Sequence, residues 1–139
     1  ATGDPALAAV ASALAGQLYG LDVLAEDIED AAHNTTRFVV LARDAVVPPP
    51  GVPPMTTLMF EVRSIPAALF KALGGFATNG VNITKLESYL RDGSFSAAEF
   101  YADIEGAPGD ANVALALDEL RFHTSWVRVL GTYPQARAR

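Results

Sequence analysis

Three short segments carry the side chains whose types and spacing suit chemistry. The first is His33-Asn34-Thr35-Thr36-Arg37-Phe38, which runs into the apolar Val39-Val40-Leu41. A guanidinium there can grip a carboxylate through two parallel N–H donors. The Thr36 hydroxyl can donate a proton or a hydrogen bond, and the Asn34 amide adds a further polar contact. Read alone, the same residues also fit a loop entering a strand, with Thr36 and Arg37 as ordinary edge positions. The second segment, Ser64-Ile65-Pro66-Ala67-Ala68-Leu69-Phe70-Lys71-Ala72-Leu73, reads as a proline-led helix start. The free amides of a helix N-terminus attract a carboxylate, although a plain loop before a helix fits too. The third, Gly80-Val81-Asn82-Ile83-Thr84-Lys85-Leu86-Glu87-Ser88-Tyr89-Leu90, reads on its own as a helix exit followed by a strand.

Composition removes other chemistries. The chain has 139 residues and no cysteine, which excludes disulfides, thiolate catalysis and cysteine-based zinc sites. Its two histidines, His33 and His123, are too far apart for a metal motif. The acidic run Glu26, Asp27, Glu29, Asp30 reads as a solvated turn, and no metal is expected. A formal net charge of -6 disfavours nonspecific binding to nucleic acid. No apolar run approaches the roughly 18 residues of a membrane span. The apolar stretch from Ala6 to Leu18 follows Asp4 with no basic lead, so it reads as a helix and not as a signal peptide. The lack of cysteine fits a cytoplasmic origin.

The elements that must position these residues fall into two parts, 1–43 and 55–134, with a tail at 135–139. The join, 44–54, holds five prolines and a glycine and reads as a stiff, extended linker. In the first part Asp4 and Pro5 suit a helix start, Gly20 its end, and Leu7, Val10, Leu14 and Leu18 its buried stripe. Leu21 to Ala25 and Thr36 to Leu41 read as strands. One helix and two strands in about forty residues cannot bury their own faces, so this part reads as a remnant of a larger domain.

The second part reads strand, helix, strand, strand, helix, strand. Leu58, Phe60 and Val62 alternate; Leu69, Leu73 and Phe76 follow helical spacing; Asn79-Gly80 closes that helix. Asn82 to Leu90 is a strand, Arg91-Asp92-Gly93 a hairpin turn, and Phe100, Ala102 and Ile104 alternate on the next strand. Asp110 suits a helix cap with Val113, Leu117 and Leu120 inward, and Trp126 to Gly131 is the last strand. This βαββαβ order predicts a ferredoxin-like α+β fold with both helices on one face of an antiparallel sheet.

Asn34-x-Thr36-Arg37-Phe38 after an Ile-Glu-Asp turn resembles the Thr-Arg-Phe signature of prephenate dehydratases. The Asp4 to Ser12 stretch and Tyr19-Gly20-Leu21 are similar to the last part of that family's catalytic domain. Residues 55–134 resemble the ACT domain, the amino-acid-sensing module that ends those enzymes. Ala67-Ala68-Leu69 matches its Gly-Ala-Leu motif, with Ala67 in place of glycine, where an added methyl disfavours a positive φ. Asn82-Ile83-Thr84-Lys85-Leu86-Glu87-Ser88 matches a second effector-linked motif, after which Tyr89-Leu90 replaces Arg-Pro.

The resemblance implies a lyase of phenylalanine biosynthesis that converts prephenate to phenylpyruvate, CO2 and water without a cofactor. It implies Thr36 as the catalytic hydroxyl, with Arg37, Asn34 and Phe38 in the same site. It implies L-phenylalanine as effector, held by Ala67, Ala68, Leu69, Asn82, Glu87 and Ser88, and regulation in a homodimer or tetramer. The rest of the catalytic domain has no counterpart here, so this fragment of an α/β catalytic lobe is expected to be inactive alone and to need the missing N-terminal part as partner. The other reading is a stand-alone ACT module that binds an amino acid or dimerises, without catalysis.

Overall fold

The computed structural model describes residues 4–31, 36–90 and 98–135. They form two compact units that divide after Leu41. The second unit carries the sheet.

That sheet has four antiparallel strands: β1 (Pro54–Val62), β2 (Ile83–Leu90), β3 (Ala98–Glu105) and β4 (Thr124–Pro134), in the order β2-β3-β1-β4. Two helices, α2 (Ala68–Thr78) and α3 (Ala111–His123), complete the βαββαβ chain order; α1 is in the first unit. This is the ferredoxin-like α+β fold that the periodicities predict.

One face of the sheet is apolar because its strands alternate. Leu58 and Phe60 of β1 and Phe100, Ala102 and Ile104 of β3 meet Ala72 and Phe76 of α2 and Val113, Ala116, Leu117 and Leu120 of α3 in one buried cluster. Both helices therefore cover that face. Phe60 and Phe100 are register partners whose rings stack at 5.3 Å. Burying such aromatic and aliphatic side chains stabilises by about 1.5–3 kcal/mol each.

The helices approach closely at Gly75, where a Cβ would lie 2.6 Å from the Glu119 Cβ. Glu119 also reaches the end of α2, accepting from the Asn79 side-chain amide at 2.9 Å. Asp110 stands at the N-cap of α3 as its position suggests, but its carboxylate accepts from the Ala107 amide at 2.8 Å and makes no cap bond to the helix. β4 is longer than the predicted Trp126–Gly131, because α3 passes into it without a loop and Thr124 closes the join by donating to the Leu120 carbonyl at 2.8 Å. The expected Arg91-Asp92-Gly93 turn lies outside the described residues, as do His33, Asn34, Arg137 and Arg139.

The first unit departs from its prediction. Its helix, α1, is Ala13–Tyr19, capped by Ser12 and ended by Gly20 with φ 62°. Asp4 does not start it: its carboxylate accepts from the Ala6 amide at 2.9 Å, and its carbonyl accepts from Leu7, which closes a local turn. Neither Leu21–Ala25 nor Thr36–Leu41 is a strand. The predicted stripe of Leu7, Val10, Leu14 and Leu18 is exposed, and so are Val39, Val40 and Leu41. The cause is the same in each case. A short helix draws its stability from a packed apolar face, and a strand needs a ladder partner; the described residues of this unit supply neither to these segments.

Candidate functional site

Thr36, Arg37 and Phe38 lie outside any helix or strand in an exposed segment of the first unit, with Phe38 87% exposed. They share one short segment, so a hydroxyl, a guanidinium and a ring project from adjacent positions.

The positions matched to effector motifs lie in the second unit. Ala67 is the N-cap of α2 and takes a left-handed conformation, φ 59° and ψ 24°, despite its methyl group. The positive φ expected of a glycine is therefore present with alanine in place. No side chain caps α2, and Pro66 precedes the turn. Ala68 is buried and Leu69 half-buried against the core. Ser88 pairs with Phe100, which pairs with Phe60 two residues before the end of β1. Ser88 thus lies on the helix-covered face, at the end of the sheet where α2 begins.

Asn82 is not with them. It precedes β2 at the opposite end of the sheet, where its carbonyl accepts from the Glu105 amide at 3.0 Å. The eleven residues of α2 alone separate Ala67 from that end by about 16 Å. Glu87 points to the other face, because it pairs with Tyr101 and a register shift between Ile83 and Lys85 fixes the alternation. Within one copy, the six residues do not converge.

Glu87 belongs instead to a row along β2. Its carboxylate lies 3.1 Å from the Lys85 ammonium and accepts from the Tyr89 hydroxyl at 2.7 Å. The Tyr89 hydrogen bond, with Lys85 adding to it, holds the Glu87 carboxyl below the usual carboxylate range. The same bonds raise Lys85 and Tyr89 above their ordinary values. Lys85 also sits 5.0 Å from the Tyr101 ring centroid. Tyr89 thereby gives Glu87 a hydrogen-bond donor at the position where the family motif has arginine.

The open face holds two features that the motifs do not announce. Asp103, fully buried, accepts a short hydrogen bond from Thr57 and one from the Tyr133 hydroxyl at 3.4 Å, while Thr57 and Tyr133 bond each other at 2.9 Å. This polar knot closes the middle of the sheet. Beside it lies an open cavity of about 380 Å³ lined by Met59, Glu99, Trp126 and Arg128. The sequence signal for the cavity is the alternation Trp126-Val127-Arg128-Val129, which puts Trp126 and Arg128 on the same face.

Comparisons with known proteins bear on the chain as a whole. The family model for prephenate dehydratase matches residues 1–46. The chain is 56% identical over 127 residues to the bifunctional N-acyl-homoserine lactone acylase/prephenate dehydratase of Komagataeibacter europaeus, covering 91% of this chain and 45% of that protein. It is 39% identical over 140 residues to the chloroplastic arogenate dehydratase/prephenate dehydratase 1 of Arabidopsis thaliana, covering 91% of this chain and 36% of that protein. The solved prephenate dehydratase of Arthrobacter aurescens, in complex with L-Phe, superposes with a TM-score of 0.60 at 30% identity, over 68% of this chain and 31% of that one. The chain thus spans less than half the length of these relatives. Sequence and structure together match this chain to the C-terminal portion of prephenate dehydratase family members.

Proposed function

We propose that the chain serves as the C-terminal part of a cytoplasmic enzyme that converts prephenate to phenylpyruvate, CO2 and water, and that its second unit is an ACT domain that binds L-phenylalanine. The observation that carries the effector reading is the α2 N-terminus. Ala67 holds a left-handed turn, no side chain caps the helix, and a carboxylate can take that place. The Arthrobacter relative, described in complex with L-Phe, supports the choice of ligand.

Asn82 lies at the far end of the sheet from Ala67. A site that uses both therefore draws Ala67 to Leu69 from one copy and Asn82 from another, which fits the expected dimer or tetramer. The test is sedimentation of the chain with and without L-phenylalanine. Binding that strengthens as the dimer forms supports a shared site. Equal affinity in monomer and dimer would refute it.

In the catalytic reading, Thr36 donates a hydrogen bond or proton to the departing C4 hydroxyl while Arg37 holds a substrate carboxylate, with Asn34 and Phe38 beside them. Loss of CO2 and water aromatises the ring, which supplies the driving force. Thr36 and Arg37 are exposed in this chain, whereas a catalytic pair must enclose its substrate. The chain alone should therefore not form phenylpyruvate, whereas the enzyme containing the N-terminal part should, and Thr36→Ala in that enzyme should abolish turnover. Normal phenylpyruvate formation by the purified chain alone would overturn this assignment.

The Komagataeibacter relative is also called an N-acyl-homoserine lactone acylase, at 56% identity. Release of homoserine lactone by the enzyme containing this chain would favour that second reading.

A further inference from the structure

We propose that the end of β3 is a clasp that joins the effector position Asn82 to the exit of the proline-rich linker, and that the Thr56 hydroxyl closes it. For Asn82 the inference rests on the effector reading above; for the linker it rests on hydrogen bonds at the edge of the sheet.

A linker that enters a sheet through Pro53 and Pro54 brings carbonyls but no N–H groups. Both carbonyls are taken. Pro53 accepts from the Gln135 amide just past β4 at 3.0 Å, and Pro54 accepts from the Gly106 amide just past β3 at 2.9 Å. One step beyond the Met55–Glu105 pair, Pro54 stands opposite Gly106 and has no N–H to return to it. The Thr56 hydroxyl supplies the missing donor and reaches the Gly106 carbonyl at 2.7 Å. Its one proton is then committed, so Thr132 donates to Thr56 at 3.0 Å and ties β4 to the same point. Thr56 is fully buried, so solvent does not reach its hydroxyl.

Successive amides of a strand point to opposite neighbours. Glu105 donates to the Asn82 carbonyl at 3.0 Å, on the β2 side, and Gly106 donates to Pro54, on the β1 side. Two adjacent peptide units thus connect Asn82 to the linker exit. Gly106 is held firmly between them. Its φ is 101°, and a Cβ there would lie 2.7 Å from the Val113 Cγ2 of α3. The Asp110 carboxylate fixes the next amide, that of Ala107, at 2.8 Å. A ligand that restrains Asn82 therefore restrains the linker exit through β3.

Amide hydrogen exchange in the 139-residue chain reads the clasp, with the Ala102 amide of the core reporting global opening. Thr56→Val keeps the shape and removes the donor. It should speed exchange at Gly106 and Gln135 at least about tenfold more than at Ala102, and Thr56→Ser, which keeps the hydroxyl, should leave exchange slow. Gln135→Pro removes the donor to Pro53 at the surface end of the clasp and should also speed Gly106 relative to Ala102. Saturating L-phenylalanine should slow Gly106 and Gln135 in the unsubstituted chain. Exchange at Gly106 that Thr56→Val leaves unchanged relative to Ala102 would overturn the clasp. If Thr56→Val does not fold, unchanged exchange at Gly106 in Gln135→Pro overturns it instead. Heat of L-phenylalanine binding with no change at Gly106 or Gln135 would overturn the connection to Asn82. Absence of that heat would overturn the effector reading, and the connection with it, while the contrast between Thr56→Val and Thr56→Ser still decides the clasp.

Discussion

Ala67 offers a direct test of the α2 turn. Its φ of 59° puts a methyl-bearing residue in the left-handed region. An L-residue with a Cβ is disfavoured there by about 1–2 kcal/mol. Ala67→Gly removes that cost but gives the unfolded chain more freedom, which takes back about 0.4–1 kcal/mol. The net effect is a more stable unit, by about 0.5–1 kcal/mol. For a domain of about 100 residues this raises Tm by about 2–8 °C. Ala77→Gly is the control, since Ala77 is exposed within α2 and its replacement should cost about 0.5–1 kcal/mol. Thermal melting followed by circular dichroism reads both variants in one experiment. If Ala67→Gly lowers Tm as Ala77→Gly does, Ala67 is not left-handed in solution, and the proposed carboxylate seat at the α2 N-terminus loses its basis.

Other perturbations test the remaining structure. Gly75→Ala gains helix propensity but drives a Cβ to 2.6 Å from that of Glu119, so chemical denaturation should show a net loss of about 1–2 kcal/mol. An unchanged midpoint would contradict the close helix crossing. Phe76→Ala empties the middle of the core and should cost about 3–5 kcal/mol in the same assay. Tyr89→Phe removes the main cause of the low Glu87 pKa, so an NMR titration of that carboxyl should move up toward the ordinary range. The sign follows from linkage. A carboxyl lowered in the folded state contributes stability above its unfolded pKa and loses it as pH falls through the folded value, and Tyr89→Phe should shrink that acid dependence. A Glu87 titration identical in both proteins would remove Tyr89 from the arginine's place.

The second unit was legible because its pattern is consistent at several levels. Leu58 and Phe60 on β1 and Phe100, Ala102 and Ile104 on β3 fall at alternate positions, and Gly80 marks the end of α2 where the structure puts it. The first unit was not, because Leu7, Val10, Leu14 and Leu18 have helical spacing but no surface to bury them, and spacing alone does not hold a helix in water. The left-handed Ala67 could not be read from residue type, which argues against it. Glu87 and Ser88 take opposite faces as any strand neighbours do, but which of them faces the helices depends on a register shift after Ile83, and only the pairing reveals that. The cavity at Trp126 and Arg128 was hidden for a related reason. Alternation tells which residues share a face, but not that Glu99 lies one strand beyond Met59.

Calorimetry of L-phenylalanine binding to the 139-residue chain bears most directly on its proposed role as a sensor. The structure predicts saturable heat in the chain, weakened by Asn82→Ala and by Ala67→Val, whose β-branched side chain cannot hold the left-handed turn. No heat from a chain that melts cooperatively, or heat that both substitutions leave unchanged, would contradict it.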